Sequence, residues 1–167
     1  IASLQKAKTV KPDYLSPYLN LANFYISRGK HQEALDELLA AVAVAPDNLQ
    51  LHLKLAALYE LSGDTAMAEQ HLNLAKETGD TSGTIAYAAF FARSGQSEKS
   101  LEVLRAGYLK APDNPSLMAT LGGELQKNRK FDEAINIYIH LEETSPGKGI
   151  PLLVSAQLQK GDFTAAN

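Results

Sequence analysis

An eighteen-residue segment occurs twice in this chain. "HQEALDELLAAVAVAPDN", residues 31–48, returns as "SEKSLEVLRAGYLKAPDN", residues 97–114, and both copies end in Pro-Asp-Asn. The prolines of the two copies, Pro46 and Pro112, lie 66 residues apart, which corresponds to one repeat of 34 residues and one of 32. Tandem repeats of this length predict a row of similar structural elements that bury their apolar faces against one another.

The same residue types return at the same positions of four successive repeats when Leu15 is taken as position 1. Positions 4, 7, 8 and 11 share one helical face, and positions 20, 24 and 27 share a face of a second helix. Small residues at positions 8, 20 and 27 allow close helix approach, and Pro at position 32 ends the second helix. In the first full repeat these positions hold Tyr18, Leu21, Ala22, Tyr25, Ala34, Leu38, Ala41 and Pro46.

This register divides the chain into one domain of consecutive repeats. We expect residues 1–14 to be the second half of a truncated repeat, followed by repeats at 15–48, 49–80 (shortened), 81–114 and 115–146 (shortened), and a partial repeat at 147–167. The predicted helices lie near 15–28, 31–44, 49–61, 65–78, 82–94, 97–110, 115–127, 131–144 and 147–160. Gly at position 15 suits a left-handed residue after a helix, and Asp or Asn after the proline suits a cap for the next helix.

The pattern resembles the tetratricopeptide repeat family over essentially the whole chain. The resemblance implies an all-α fold, a right-handed superhelical solenoid of antiparallel helix pairs, and a role as a protein–protein interaction scaffold without catalytic chemistry. The departures from the family pattern are Leu125 at position 11, Arg129 at position 15 and the absence of Trp at position 4.

In this family the first helix of each pair lines a concave groove, so its positions predict where a peptide or helix of a partner protein binds. Position 5 is apolar in four repeats and position 9 is mostly small. Leu19, Leu53 and Ile85 could form an apolar floor, or they could pack against neighbouring first helices and expose little. The candidate partner-binding residues are Leu19, Asn23, Leu53, Ala57, Glu60, Ile85, Ala89, Arg93 and Lys127.

Gly123, at position 9 beside Gly122, costs about 1 kcal/mol relative to Ala in a helix interior. We expect it to change the local curvature or to make room for a ligand backbone.

Composition excludes several function classes. The formal net charge of −3 and the scattered Lys and Arg give no basic patch for nucleic acid. The chain has no Cys, and its four His residues, His31, His52, His71 and His140, lack metal-ligand spacing, so structural roles are expected for them. "GDTSG" (79–83) and "SPGKGIP" (145–151) read as junctions between repeats. We expect no enzyme, no cofactor and no metal site.

The sequence is compatible with more than one cellular compartment. The chain begins at Ile1 rather than Met, which suggests a piece of a longer protein, and either cytoplasm or periplasm is compatible with it. Its longest apolar run is far short of the roughly 20 residues that cross a bilayer, so no direct membrane insertion is expected. Truncated repeats at both ends, at Leu4 and Ala7 and from Phe163 to Ala166, could allow self-association. The alternative function is a structural spacer or oligomerisation module in a larger bacterial envelope, export or secretion assembly.

Overall fold

A computed structural model describes residues 1–161, which form α-helices and no strand. Turns of two to five residues separate successive helices, a length typical of antiparallel helical hairpins. The predicted all-α architecture is therefore confirmed. The ten helices of the described residues are α1 (Ala2–Val10), α2 (Leu15–Ser27), α3 (His31–Val44), α4 (Leu49–Ser62), α5 (Thr65–Glu77), α6 (Thr81–Arg93), α7 (Ser97–Lys110), α8 (Pro115–Lys127), α9 (Phe131–Thr144) and α10 (Ile150–Lys160).

The helix limits agree with the sequence prediction to within one residue, except at the last helix. That helix was expected to begin near residue 147 and begins at Ile150. Gly147 has φ +86°, a left-handed conformation that a right-handed helix excludes. The predicted apolar residues Phe163 and Ala166 lie outside the described residues, and the division into repeats stays a sequence prediction.

The helices gather into two compact units, residues 1–83 and residues 84 onward, here called the N-terminal and C-terminal units. The apolar cluster of the N-terminal unit is built on fully buried alanines, such as Ala22 and Ala34, that alternate with leucines, such as Leu38 and Leu55. Small residues let the helix axes approach while leucines fill the space between them. This is the packing that positions 8, 20 and 24 predict.

Tyr18 and His52 both stand at position 4 and make the same hydrogen bond. The Tyr18 hydroxyl donates to the carbonyl oxygen of Pro12 at 2.9 Å. His52 Nε2 lies 2.6 Å from the carbonyl oxygen of Pro46, again six residues earlier. Each side chain thereby joins a first helix to the turn before it and supplies a partner for a carbonyl of that turn.

In the C-terminal unit, the buried cluster includes Leu101, Leu117, Leu121 and Tyr138, each at most 1% exposed. Tyr138 lies against Gly122: a Cβ built on Gly122 would stand 2.7 Å from the Tyr138 Cζ atom and closer still to its Cε1 atom. The aromatic side chain at position 24 therefore requires glycine at position 8 of the same repeat.

Helix ends follow the predicted chemistry. The Asn48 and Asn114 side chains accept hydrogen bonds from the backbone N–H groups of Leu51 at 3.2 Å and Leu117 at 3.0 Å, which makes the Pro-Asp-Asn segment a cap for the next helix. The glycines predicted after helix ends have positive φ, and Arg129 takes the same conformation with φ +59°. Arg129 is the only non-glycine residue of positive φ within residues 1–161.

The junction before α10 is organised by Glu142. Its carboxylate accepts hydrogen bonds from the backbone N–H groups of Gly147 at 2.7 Å, Gly149 at 2.9 Å and Ile150 at 3.1 Å. These bonds, from Gly147 first, lower the pKa of the Glu142 carboxyl group. One side chain thus fixes the turn and caps the start of α10.

Candidate functional site

The nine predicted partner-binding residues are distributed over both compact units. In the N-terminal unit, Leu19 and Leu53 are partly buried, and Asn23 and Ala57 are exposed. Leu19 packs against the apolar cluster of that unit. Each of the two leucines keeps part of its surface accessible. They are therefore neither fully packed against neighbouring helices nor fully exposed as a groove floor.

Asn23 and Lys54 connect two first helices of the N-terminal unit. Lys54 Nζ donates to Asn23 Oδ1 at 3.3 Å, from α4 to α2. Glu60, the remaining predicted residue of this unit, is partly buried near the end of α4. This hydrogen bond links Asn23 on α2 to α4, the helix that carries Leu53, Ala57 and Glu60.

A cleft of about 270 Å³ lies in the C-terminal unit, where three predicted residues, Ala89, Arg93 and Lys127, line it together. Ile85, predicted as part of the same floor, packs instead against the apolar cluster. The lining residues come from α6, α7 and α8: Ala89, Ala92, Arg93, Ser100, Leu104, Ala119, Thr120, Gly123, Glu124 and Lys127.

Small residues keep this cleft open. Ala89 and Ala92 on α6 line it together with Ala119 and Gly123 on α8. A Cβ on Gly123 would meet one described atom within 4 Å, the Tyr138 hydroxyl oxygen at 4.0 Å. Of the two expectations for Gly123, the open space agrees with room for a ligand backbone.

The cleft also holds a buried carboxylate that the sequence analysis missed. The Glu124 side chain is 7% exposed, and Lys127 Nζ lies 3.4 Å from its Oε2 atom. Asn128 Nδ2 donates to Glu124 Oε1 at 3.3 Å and to the Glu124 carbonyl oxygen at 2.8 Å. The available signal was the repeat register: position 10, where Glu124 stands, is apolar in the other three full repeats, as Phe24, Leu58 and Phe90.

A second cleft of about 270 Å³ in the C-terminal unit includes Arg105, Tyr108 and Glu133 in its lining. Arg105 Nη2 and Glu133 Oε2 are 2.6 Å apart, and the Tyr108 hydroxyl lies 2.7 Å from His140 Nδ1. These four side chains are thus paired within the chain, and none of the predicted site residues lines this cleft.

Two histidines form a buried pair that sequence spacing did not reveal. His52 Nδ1 and His71 Nδ1 are 3.1 Å apart, and the Tyr59 ring stacks on His71 with centroids 5.5 Å apart. Because His52 Nε2 must donate to the Pro46 carbonyl, its Nδ1 atom accepts from His71 Nδ1–H. His71 Nε2 is then a buried acceptor with no partner among the described residues. Burial, and next the nearby His52, lower the pKa of His71.

The paired histidines lie between α4 and α5. Within residues 1–161, no cluster of three or more His, Cys, Asp or Glu side chains could hold a metal ion.

Comparison with known proteins agrees with this helix pattern. The sequence profile described as "Tetratricopeptide repeat" matches residues 15–48. Solved tetratricopeptide repeat structures superpose on up to 98% of the chain. Residues 15–48 are thus similar to a tetratricopeptide repeat, and the fold is that of tetratricopeptide repeat structures. That fold is generally a non-catalytic scaffold for interactions with proteins.

Two structures illustrate the likeness. The C-terminal part of a TPR repeat-containing protein from Cytophaga hutchinsonii is 15% identical, with a TM-score of 0.74 over 98% of this chain and 66% of that one. YrrB, described as a TPR protein with an unusual peptide-binding site, is 17% identical, with a TM-score of 0.64 over 98% of this chain and 86% of that one. At these identities the likeness concerns the fold.

A human protein, the protein O-mannosyl-transferase TMTC1, is 25% identical over 164 residues, which are 93% of this chain. The chain spans 18% of that protein's length. Within residues 1–161, none of the helices combines the length and the apolar character that crossing a bilayer requires.

Proposed function

We propose that the cleft of the C-terminal unit, between α6 and α8, binds an extended segment of a partner protein. The observation that carries this proposal is the lining itself: four small residues, Ala89, Ala92, Ala119 and Gly123, face a space of about 270 Å³. An open cleft with an apolar floor and a few charged groups at its margin suits side chains of a peptide laid across two helices.

The size of the cleft favours a peptide over an enclosed small molecule. Pockets for small ligands are typically about 300–1,000 Å³ and surround most of the ligand. Here the volume is at the lower limit, and the charged side chains at the margin, such as Lys127, remain largely exposed. A peptide can leave most of its length outside and insert one or two side chains.

The comparison with YrrB supports the proposal by analogy, since that protein of similar fold is described as having a peptide-binding site. Leu19, Asn23, Leu53, Ala57 and Glu60 of the N-terminal unit stay candidates for contacts along a longer segment.

The test is a selection of dodecapeptides from a random phage-displayed library on the intact chain, followed by calorimetric titration of synthesised peptides. Gly123→Leu fills open space on α8, so we expect it to weaken binding at least about tenfold, or about 1.4 kcal/mol. The matched control is Ala106→Leu, because Ala106 is an exposed small residue of α7 that does not line the cleft. Equal affinities for Gly123→Leu and the wild-type chain would contradict the proposal.

The alternative, a spacer or oligomerisation module, is favoured by exposed apolar side chains away from the cleft. Val10 is 69% exposed and Tyr14 is 56% exposed, both beside the turn between α1 and α2. Light scattering of the wild-type chain and of Val10→Ser tests this alternative. Concentration-dependent association that Val10→Ser abolishes would support it.

A further inference from the structure

Glu124 places a carboxylate at a buried position where an apolar side chain would have no desolvation cost. It lines the cleft of the C-terminal unit, and its side chain is 7% exposed. The same repeat position holds Phe24, Leu58 and Phe90 in the other full repeats, and Leu58 and Phe90 are buried. A carboxylate removed from water is costly unless cations or hydrogen-bond donors compensate for the lost hydration.

The contacts that the chain itself makes to Glu124 compensate only partly for the lost hydration of its carboxylate. The Lys127 ammonium stands 3.4 Å from Oε2 and is 74% exposed, and the Asn128 amide stands 3.3 Å from Oε1. Charge-assisted hydrogen bonds of full strength measure about 2.7–2.9 Å, so both contacts are long. Asn128 makes its shorter bond, 2.8 Å, to the Glu124 carbonyl oxygen instead.

We infer that Glu124 forms a subsite for a basic side chain, lysine or arginine, of the peptide that the cleft binds. This inference rests on the proposed function and specifies the chemistry of the partner. The incoming ammonium or guanidinium group displaces Lys127 from Oε2 and makes a shorter charge-assisted bond inside the cleft. The aliphatic part of the basic side chain covers Ala89, Ala119 and Gly123, whose small size leaves room for it.

Charge and burial together favour a basic occupant over an acidic one. Arg93 and Lys127 at the margin would attract an acidic residue, but Lys127 is 74% exposed, and ion pairs in water contribute little. Glu124 is sheltered from water, so a cation that reaches it interacts in a medium of lower dielectric constant. The buried anion therefore has the larger influence on which side chain binds.

The experiment is a double-mutant cycle with a peptide selected on the intact chain that contains one lysine or arginine. In the peptide, the basic residue is replaced by norleucine, which keeps the aliphatic chain and removes the charge. In the protein, Glu124→Gln keeps the shape and removes the charge. We expect the norleucine peptide to bind wild-type protein about tenfold more weakly than the basic one, and the two peptides to bind Glu124→Gln within about twofold of each other.

Glu124→Leu serves as a second variant, because Leu58 occupies the same repeat position in the N-terminal unit. It should retain the thermal unfolding midpoint and lose the preference for basic peptides. The inference would be overturned if the norleucine replacement lowered the affinity for wild type and for Glu124→Gln by the same factor. It would also be overturned if the selected peptides carried acidic residues whose binding required Lys127. Binding that Gly123→Leu still abolishes would then leave the proposed function intact, whereas absence of any Gly123-sensitive binding would remove both.

Discussion

The ring of Tyr138 occupies the space beside Gly122 that the side chain of any other residue would need. The two residues stand at positions 24 and 8 of one repeat. At the same two positions, the other full repeats place leucine and alanine: Leu38 with Ala22, Leu72 with Ala56, and Leu104 with Ala88. The larger side chain at position 24 is thus accompanied by a smaller residue at position 8, sixteen residues earlier.

Gly122→Ala should destabilise the chain by about 1–3 kcal/mol, because the added methyl group forces Tyr138 out of a close-packed position. Gly123→Ala, one residue away in open space, should stabilise it by up to about 1 kcal/mol. Chemical denaturation followed by circular dichroism measures both. The double variant Gly122→Ala/Tyr138→Leu reproduces the pair found in the other repeats and should recover part of the loss. Equal effects of the two alanine substitutions would contradict this account.

Arg129 takes a left-handed conformation that the corresponding glycines, Gly63 and Gly95 among them, adopt without a steric penalty. A residue with a side chain in the left-handed conformation costs about 1–2 kcal/mol in the folded state. Glycine avoids this cost, but part of the gain is lost because glycine also raises the conformational entropy of the unfolded chain. Arg129→Gly should therefore raise the free energy of unfolding by about 0.5–1 kcal/mol, and Gly95→Ala should lower it by a similar amount. Effects of the same sign, measured in urea, would refute the prediction.

The buried pair of His52 and His71 should make the chain less stable in mild acid. Burial, and then the neighbouring His52, hold the pKa of His71 below its ordinary value of about 6.5, so the folded chain binds fewer protons than the unfolded chain below that pH. Stability is therefore expected to fall as pH decreases from about 7 to 5, by about 1.4 kcal/mol for each unit by which folding lowers the pKa.

Thermal unfolding midpoints at a series of pH values provide the measurement. His71→Gln keeps a donor for His52 Nδ1 and removes the titrating ring, so its midpoint should depend less on pH over this range. His31→Gln, at a partly exposed histidine at the start of α3, is the matched control. Parallel pH profiles for the wild-type chain and His71→Gln would exclude the pair as the source.

Glu142 should titrate below the ordinary range of a glutamate, because the backbone N–H groups of the turn before α10, that of Gly147 first, stabilise its charged form. A lowered pKa means that the stabilisation is present above the unfolded pKa, about 4.3, and is lost as pH falls through the folded value. In NMR spectra, the amide resonances of Gly147 and Gly149 should report that midpoint.

Glu142→Gln should shift these amide resonances at neutral pH and remove their acid titration. Glu143→Gln, a neutralised carboxylate next in sequence and exposed, should leave both unchanged. A Gly147 midpoint at the ordinary value for glutamate would argue against the three-bond cap.

The sequence predicted the helices well because their apolar period ends at turn residues such as Pro46, and because Asn48, Asp64 and Asn114 cap the helices that follow them. The exception at residue 147 arose because a side-chain cap from Glu142 cannot be read from helix periodicity. For the site, position numbers found Ala89, Arg93 and Lys127, which line one cleft. They missed Glu124, since position 10 does not belong to the groove positions of the family, and the pairing of His52 with His71, which depends on how two helices align.

The shared hydrogen bond of Tyr18 and His52 has a consequence for how such repeats are compared. In these two repeats, a phenol and an imidazole reach the carbonyl of the proline six residues earlier. The fourth repeat instead places Met118, which has no hydrogen-bond donor, six residues after Pro112. Substitution scores based on hydropathy would penalise His52 against Tyr18, although both side chains join a helix to the turn before it by the same kind of hydrogen bond.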